Sequence, residues 1–600
     1  MIEDTASLPG YSIFRHEESD QAPDLSRQAV MYPSARDPIV VPLPSNWQSV
    51  GPARLLRSLS TWPKEKVETW KAVSQVAPTL TLEDLDVTER IARTNPKIIE
   101  VCREIGITDM SKVFFDAWAI GFDHCWGFER RLQQGLPYYR NSPMDNQYAH
   151  PLDFSVVVDT ETEEVLAIDV RHVNGERTQV LLEEHNYLPE FIKESYDGTR
   201  LRPIDTTQPQ GVSFRMQGNE LFWAGYKMHV GFNYREGIVI SDVRIHDQQQ
   251  QRDRTLFNRI SVVEMVVPYG NPDPPHQRKH AFDVGEYGSG LMTNSLNLAV
   301  IARAKSIIST QSLLRPTTSN YAFYHTFTLD GTYKLEIKLT GMLNTYCMHS
   351  SESAAPYGTE VAPRLNAHNH QHIFSLRIDP EIDGRNNSVL QSDVVPSDAP
   401  VGSQENPFGN GFYCRKTPLR TSEEGASVYC HETSRAWDII NPSSINPSAK
   451  KPVGYKIINP NWPPLLAKPG SMVCKRAAFA RKSLWVVPYK DYELFPAGDY
   501  VCQSTGEEHL HNQTVVDWVA RNESIENTDI VCYIQFGLTH FPRTEDFPIM
   551  PAEPVSVMLR ASNFFEKNPG LWVPPSSVCV DRTSRDAFCA NEGKRGCARL

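Results

Sequence analysis

Three histidines alternate in residues 366–372 (NAHNHQH), just before the strand-like run IFSLRID at 373–379. Residues two apart on a strand face the same side. His370 and His372, or His368 and His370, can therefore present two neutral imidazoles on one face, which suits copper or zinc. The plain alternative is a polar strand end with solvated histidines. With 18 histidines in the chain, a His-x-His pair also arises by accident, and His509-Leu510-His511 reads as one. A third ligand has to come from elsewhere. His540 is the candidate: it follows the apolar strand IVCYIQF in GLTHFPRTEDFP, where a purely structural histidine would also sit.

A second chemistry centres on Asp283 in HAFDVGEYGSG. A carboxylate at a strand end, followed by glycines that let backbone approach closely, becomes buried. Burial raises its pKa and suits it to act as a general base. An ordinary turn aspartate is the alternative. Asp379 and Glu381, with Asp529 far downstream, offer oxygen ligands to a hard cation, against the alternative of solvated acidic turns.

The elements that position these residues are mostly strands. Runs such as VSFRM, ELFWAGYKMHVGF and GIVISDVRI begin near residue 210 and are separated by Gly- and Asn-containing turns. Residues 323–329 and 332–339 flank Asp330-Gly331, a hairpin signal. Helical periodicity is scarce after residue 310. The fold class expected is mainly β: a large antiparallel β-sandwich over 205–600, preceded by a small α+β domain over 78–185. In the small domain, Thr81 and Asp84 resemble a capping box, and Asn95-Pro96 before KIIEVCREI starts a short helix that Gly106 closes. Residues 154–158 and 165–170 flank an acidic turn and read as a hairpin. Residues 1–77 read as irregular and truncated, apart from a helix near 63–76 (PKEKVETWKAVSQV).

Composition bounds the rest. The 600 residues are 40% hydrophobic and 22% charged, with net charge −12, which is globular and acidic. No basic segment supports nucleic-acid binding, and no apolar run is long enough to span a bilayer. The start, MIEDTASLPGY, lacks the apolar core of a secretory signal. Eleven cysteines without CxxC spacing exclude a zinc ribbon. A soluble intracellular protein is expected.

Four long segments then carry a resemblance: VPYGNPDPPHQRKHAFDVGEYGSGLMTN, LDGTYKLEIKLTGMLNTY, LNAHNHQHIFSLRID and TDIVCYIQFGLTHFPRTEDFPIMPAEP. Over about residues 80–600 the chain resembles the copper-containing, topaquinone-dependent primary-amine oxidases of fungal type. The resemblance implies oxidative deamination of primary amines to aldehydes with O2, releasing ammonia and H2O2, and a homodimer with neither nucleic acid nor membrane as partner. It implies copper(II) held by His370, His372 and His540. It implies Asp283 as the base that removes the substrate's α-proton, and Tyr269 as the tyrosine that hydrogen-bonds the quinone. Asp379, Glu381, Asp529 and the carbonyl of Ile530 fall where members hold a second divalent cation such as calcium or manganese.

Two features depart from the family. Members carry Asn-Tyr-(Asp/Glu)-Tyr, and the first tyrosine becomes the quinone. Aligned backwards from Asp330-Gly331 without gaps, Tyr321 matches the second tyrosine and Ser319 occupies the quinone position. A register starting the motif at Asn320-Tyr321 keeps the facing but moves the ring along the strand by about 7 Å, away from copper. Strands that members have between Asn294 and Arg303, with a cysteine pair, are also missing. Both defects meet at 312–319. The codons ATC ATT ACT GCG GCC AAC TAC GAG, chosen among synonyms, encode the family-like sequence Ile-Ile-Thr-Ala-Ala-Asn-Tyr-Glu. Read from the second base, with the next T borrowed, they give Ser-Leu-Leu-Arg-Pro-Thr-Thr-Ser, which is Ser312 to Ser319 as it stands. The expectation is a shifted reading frame at this junction, and the alternative is an inactive homologue that keeps the copper site. Ala598-Arg599-Leu600 is a conservative relative of the Ser-Lys-Leu peroxisomal address, so the location expected is peroxisomal, or otherwise cytoplasmic.

Overall fold

The structure is a computed structural model and describes residues 29–31, 39–41, 55–61, 66–73, 76–123, 125–127, 130–142, 145–183, 185, 211–290, 295–301, 305–312, 319–506 and 513–572. The His509–His511 pair and the C-terminal tripeptide lie outside these residues. In the first 77 residues the expectation of irregular chain with one helix is corrected. Lys66–Val73 is a strand paired antiparallel with Leu55–Thr61, and Ala29–Met31 pairs with Ile39–Val41. Val67, Thr69, Trp70 and Val73 are β-branched or aromatic and favour extended chain. A strand partner then satisfies the backbone groups that a helix would have paired internally.

The next segment has helices Leu82–Thr94 and Pro96–Glu104 against four strands, Val113–Ala119, Leu132–Tyr139, Phe154–Asp159 and Glu164–Val170, in sequential antiparallel order. The first helix starts where expected. Thr81 N donates to the Asp84 carboxylate at 2.8 Å, and Asp84 N donates to Thr81 Oγ1 at 3.3 Å. Aspartate thus closes a capping box that more often uses glutamate. Asn95 caps the second helix through Lys97 N at 2.9 Å. Ile91, Ala92, Ile98 and Cys102 form the buried helix face, against Phe115, Phe154 and Val156 of the sheet.

Beyond residue 211, 18 strands join one hydrogen-bonded network, and every pairing is antiparallel. It folds into two layers around one apolar core, giving the β-sandwich. One layer is built on the 17-residue strand Arg252–Pro268, the strand His370–Pro380 and the strand Thr528–His540. The other contains Ser319–Phe327, Tyr333–Gly341 and Met550–Ser562. Tyr321 and Phe323 meet Phe374 across the core, with ring centroids 5.8 and 6.3 Å apart. The Asp330-Gly331 hairpin forms as read, with Gly331 at φ +83°. No helix among the described residues is long and apolar enough to cross a membrane. The eight described cysteines are all free thiols.

Candidate functional site

Strand register brings the three histidines together. His370 and His540 are direct partners on adjacent antiparallel strands. Directly opposed side chains lie closest in such a pair, and His372 sits two residues on, on the same face. One ring nitrogen from each of His370, His372 and His540 falls within 4.8 Å of the others, and all three residues are buried.

Each ring is oriented by a bond at its other nitrogen. His370 Nδ1 faces the His368 carbonyl at 2.8 Å, so Nδ1 carries the proton and Nε2 the lone pair. His540 Nε2 faces the Asp546 carboxylate at 3.0 Å, which leaves Nδ1 as the free nitrogen. His372 Nδ1 is 2.9 Å from the Tyr321 hydroxyl, and donating to that oxygen leaves Nε2 free. Carboxylate, carbonyl and hydroxyl partners of this kind fix the tautomer of a metal-binding histidine. Burial first, then the His540 imidazole, pushes His370 down to about 3. Burial also holds His372 well below its ordinary value, with His370 and His540 adding to it. Neutral rings are the ligand form, so His370 and His372 are already in the state a divalent metal needs.

Tyr269 flanks the cluster. Its backbone bridges His370, and its ring stacks on the His370 ring at 4.8 Å and 22°. Trp118 of the small domain packs edge-on against Tyr269 at 5.7 Å. Its indole N–H is held by the buried Asp116 carboxylate at 2.9 Å.

Asp283 lies in the turn after His280–Ala281, a short strand paired with the end of Arg252–Pro268. It keeps partial exposure. Its surroundings are nonetheless poorly solvating, and that desolvation, with the neighbouring Glu286 carboxylate second, raises its pKa to about 7. The turn is clamped from both sides. Glu286 forms a buried ion pair with Arg476, and Tyr287 Oη accepts the Ala119 N–H at 2.6 Å. Gly288, at φ +86°, would bring a Cβ to 2.5 Å from the Tyr234 carbonyl, so glycine is needed there.

The oxygen-ligand residues are less gathered. Asp379 is buried and accepts from Asn258 Nδ2 at 3.0 Å. Burial, then Asp379, raises Asp529 to about 6, and burial raises Glu381. Ile530 is buried in the same strand. Among the described residues, the three histidines are the group close enough to hold a metal, and Asp379, Glu381 and Asp529 do not form one.

Ser319 pairs through its backbone with Gly341, and Tyr321 with Leu339. Residues 313–318 fall outside the described residues. Tyr321 is 2% exposed and stands beside His372, on the ring edge away from the free nitrogen. Two residues of the site escape a reading of the sequence, Asp546 and Trp118. The clue to Asp546 is TEDFP, six residues past His540. Trp118 leaves no clue, because only the packing of the small domain brings it to the cluster. Asp546→Ala should weaken Cu(II) affinity about 10- to 100-fold, measured by competitive titration, because His540 loses its orienting partner.

A family profile described as copper amine oxidase, enzyme domain, matches residues 215–305 and 315–580. A second, copper amine oxidase, N3 domain, matches 83–187. The peroxisomal primary amine oxidase of Pichia angusta is 43% identical over 588 residues, covering 86% of this chain and 84% of that protein. Copper amine oxidase 1 of Schizosaccharomyces pombe is 42% identical over 563 residues, covering 84% and 78%. The crystal structure of a copper-containing benzylamine oxidase from Hansenula polymorpha superposes with TM-score 0.78 at 29% identity, covering 87% of this chain and 88% of the other.

Proposed function

This chain belongs to the copper amine oxidase family, and from that we propose how its residues divide the work. The protein is a primary-amine oxidase, which converts primary amines and O2 to aldehydes, ammonia and H2O2 with copper and topaquinone as cofactors. In our reading copper takes Nε2 of His370, Nε2 of His372 and Nδ1 of His540. The observation that carries it is that each of these rings has its other nitrogen already bonded. Copper bound there supplies a redox centre for O2. Asp283 takes the proton from the α-carbon of the bound amine, a role suited to a carboxylate poised near neutrality. Tyr269 positions the reacting end of the site, since its ring lies flat against His370. Tyr321 orients His372. A second divalent cation at Asp379, Glu381, Asp529 and the Ile530 carbonyl rests on the family resemblance alone, and holding it would require these carboxylates to draw together, since they are not gathered in this structure.

Topaquinone does not fit at position 319 as the chain reads, because serine has no ring to oxidise, and Tyr321 is engaged with His372. We therefore propose that the functional transcript encodes Asn-Tyr-Glu directly before Tyr321, so that a tyrosine stands at the position Ser319 holds. The family profile is interrupted over 306–314, beside this junction, and one choice of synonymous codons for Ile-Ile-Thr-Ala-Ala-Asn-Tyr-Glu reads as Ser312 to Ser319 when shifted by one base. The cDNA across residues 292–324 should restore Asn-Tyr-Glu-Tyr and the missing strands. The purified protein should then turn over a quinone redox-cycling stain. A cDNA reading SLLRPTTS in frame, with copper-replete protein that does not stain, would overturn this and favour the inactive homologue. The peroxisomal relative from Pichia angusta supports a peroxisomal location, and a homodimer is proposed on family grounds.

A further inference from the structure

Between the small domain and the sandwich lies a small cavity of about 30 Å³, lined among others by Tyr138, Asp153, Arg171, His276, Lys279 and Tyr346. That is room for one water-sized species. Its polar walls are unusual for so buried a place. Lys279 is 2% exposed, and its ammonium has one bonded acceptor, Asn344 Oδ1 at 2.5 Å. No carboxylate lies within ion-pair distance of it among the described residues. His276 is 4% exposed, and neither of its ring nitrogens has a protein partner. Its ring is held by Tyr346 at 4.4 Å and His368 at 4.6 Å. His368 Nε2 is 3.1 Å from the Asn271 amide nitrogen, and its Nδ1 is likewise without a partner.

The carboxylates around the cavity are already engaged. Glu352 pairs with Arg171 and Asp153 with Arg177. Asp116 accepts from Trp118 and Tyr148. The charges acting on His276, after burial itself, are all of one kind: His368, Lys279 and Arg171 each disfavour a proton on its ring. The cavity is lined by two cationic side chains, Arg171 and Lys279, against one carboxylate, Asp153, which Arg177 already pairs, and by the unpartnered ring nitrogens of His276. Burial pushes the Lys279 ammonium down to about 7, with the Asp116 carboxylate acting the other way from beyond ion-pair distance, and a counter-ion in the cavity would relieve that cost.

We infer that the cavity between Lys279 and His276 is a binding site for one small monovalent anion of halide size. Two spare ammonium hydrogens and one imidazole N–H hold the ion, and the volume excludes carboxylates and phosphate. None of the three clustered histidines lines the cavity, and the link between them is His368, which packs on the His276 ring and whose carbonyl fixes His370.

The test uses the full chain crystallised in sodium bromide, with diffraction recorded at the bromine edge. The expected result is one anomalous peak between Lys279 Nζ and the His276 ring, lost in Lys279→Gln, which keeps a donor for Asn344, and in His276→Phe. In solution, bromide should raise the wild-type Tm relative to gluconate at equal ionic strength, and the increment should vanish in either variant. A water with no anomalous signal at that position overturns the inference. So does a peak or a bromide increment that survives in both variants.

Discussion

His540→Ala is expected to take the protein from about one copper per chain to essentially none, with the sandwich intact. The reason is geometric. The cluster has three nitrogens within 4.8 Å and, among the described residues, no fourth His, Cys, Asp or Glu completing it. Losing an orienting partner costs about 10- to 100-fold in metal affinity, and losing one of three ligands should exceed that. His540 ends its strand and pairs with His370 through backbone bonds that alanine keeps, so far-ultraviolet circular dichroism should be unchanged. Copper content by atomic spectroscopy is the readout. His511→Ala is the control, since His509-Leu510-His511 reads as a chance pair, and its copper content should match wild type. Full copper occupancy in His540→Ala would remove that histidine from the site.

Asp283→Asn carries the second large effect. In enzyme expressed from the verified cDNA, kcat/KM for a primary amine should fall by about 10²- to 10⁴-fold, the usual contribution of a positioned base, while copper content stays unchanged. The pH profile separates a base from a merely structural aspartate. The Asp283 carboxyl is raised to about 7 by burial and by Glu286. Its active form is the carboxylate, so the wild-type rate should rise about tenfold per pH unit below 7 and level off above it. The residual rate of the asparagine variant should lack that limb. A limb of equal slope in Asp283→Asn would assign the base elsewhere.

Much of this architecture is legible in the amino-acid sequence, because it depends on local rules. The period of two places His370 and His372 on one face, the Asp330-Gly331 turn forms its hairpin, and Thr81 and Asn95 cap their helices where expected. The helix expected over 63–76 fails because a proline start and mixed charges outweigh its β-branched residues in a local reading, and only a strand partner reveals which tendency wins. The aromatic chain from Trp118 through Tyr269 to His370 is invisible for a different reason. It crosses from the small domain into the sandwich, and nothing in local spacing records a contact between residues 151 positions apart. The bond between Tyr321 and His372 is hidden likewise, since it joins the two layers.

The pairing of His370 with His540 also makes the metal a proofreader of assembly. These partners are 170 residues apart, a contact that closes late when loop entropy opposes it. A slip of one residue would place Gln371 or Thr539 where a ligand belongs and turn every neighbouring side chain to the opposite face. A misregistered chain would therefore hold copper poorly, and only the correctly zipped sandwich would be trapped by it. Metal uptake during refolding should report closure of these two strands, arriving after most of the secondary structure has formed.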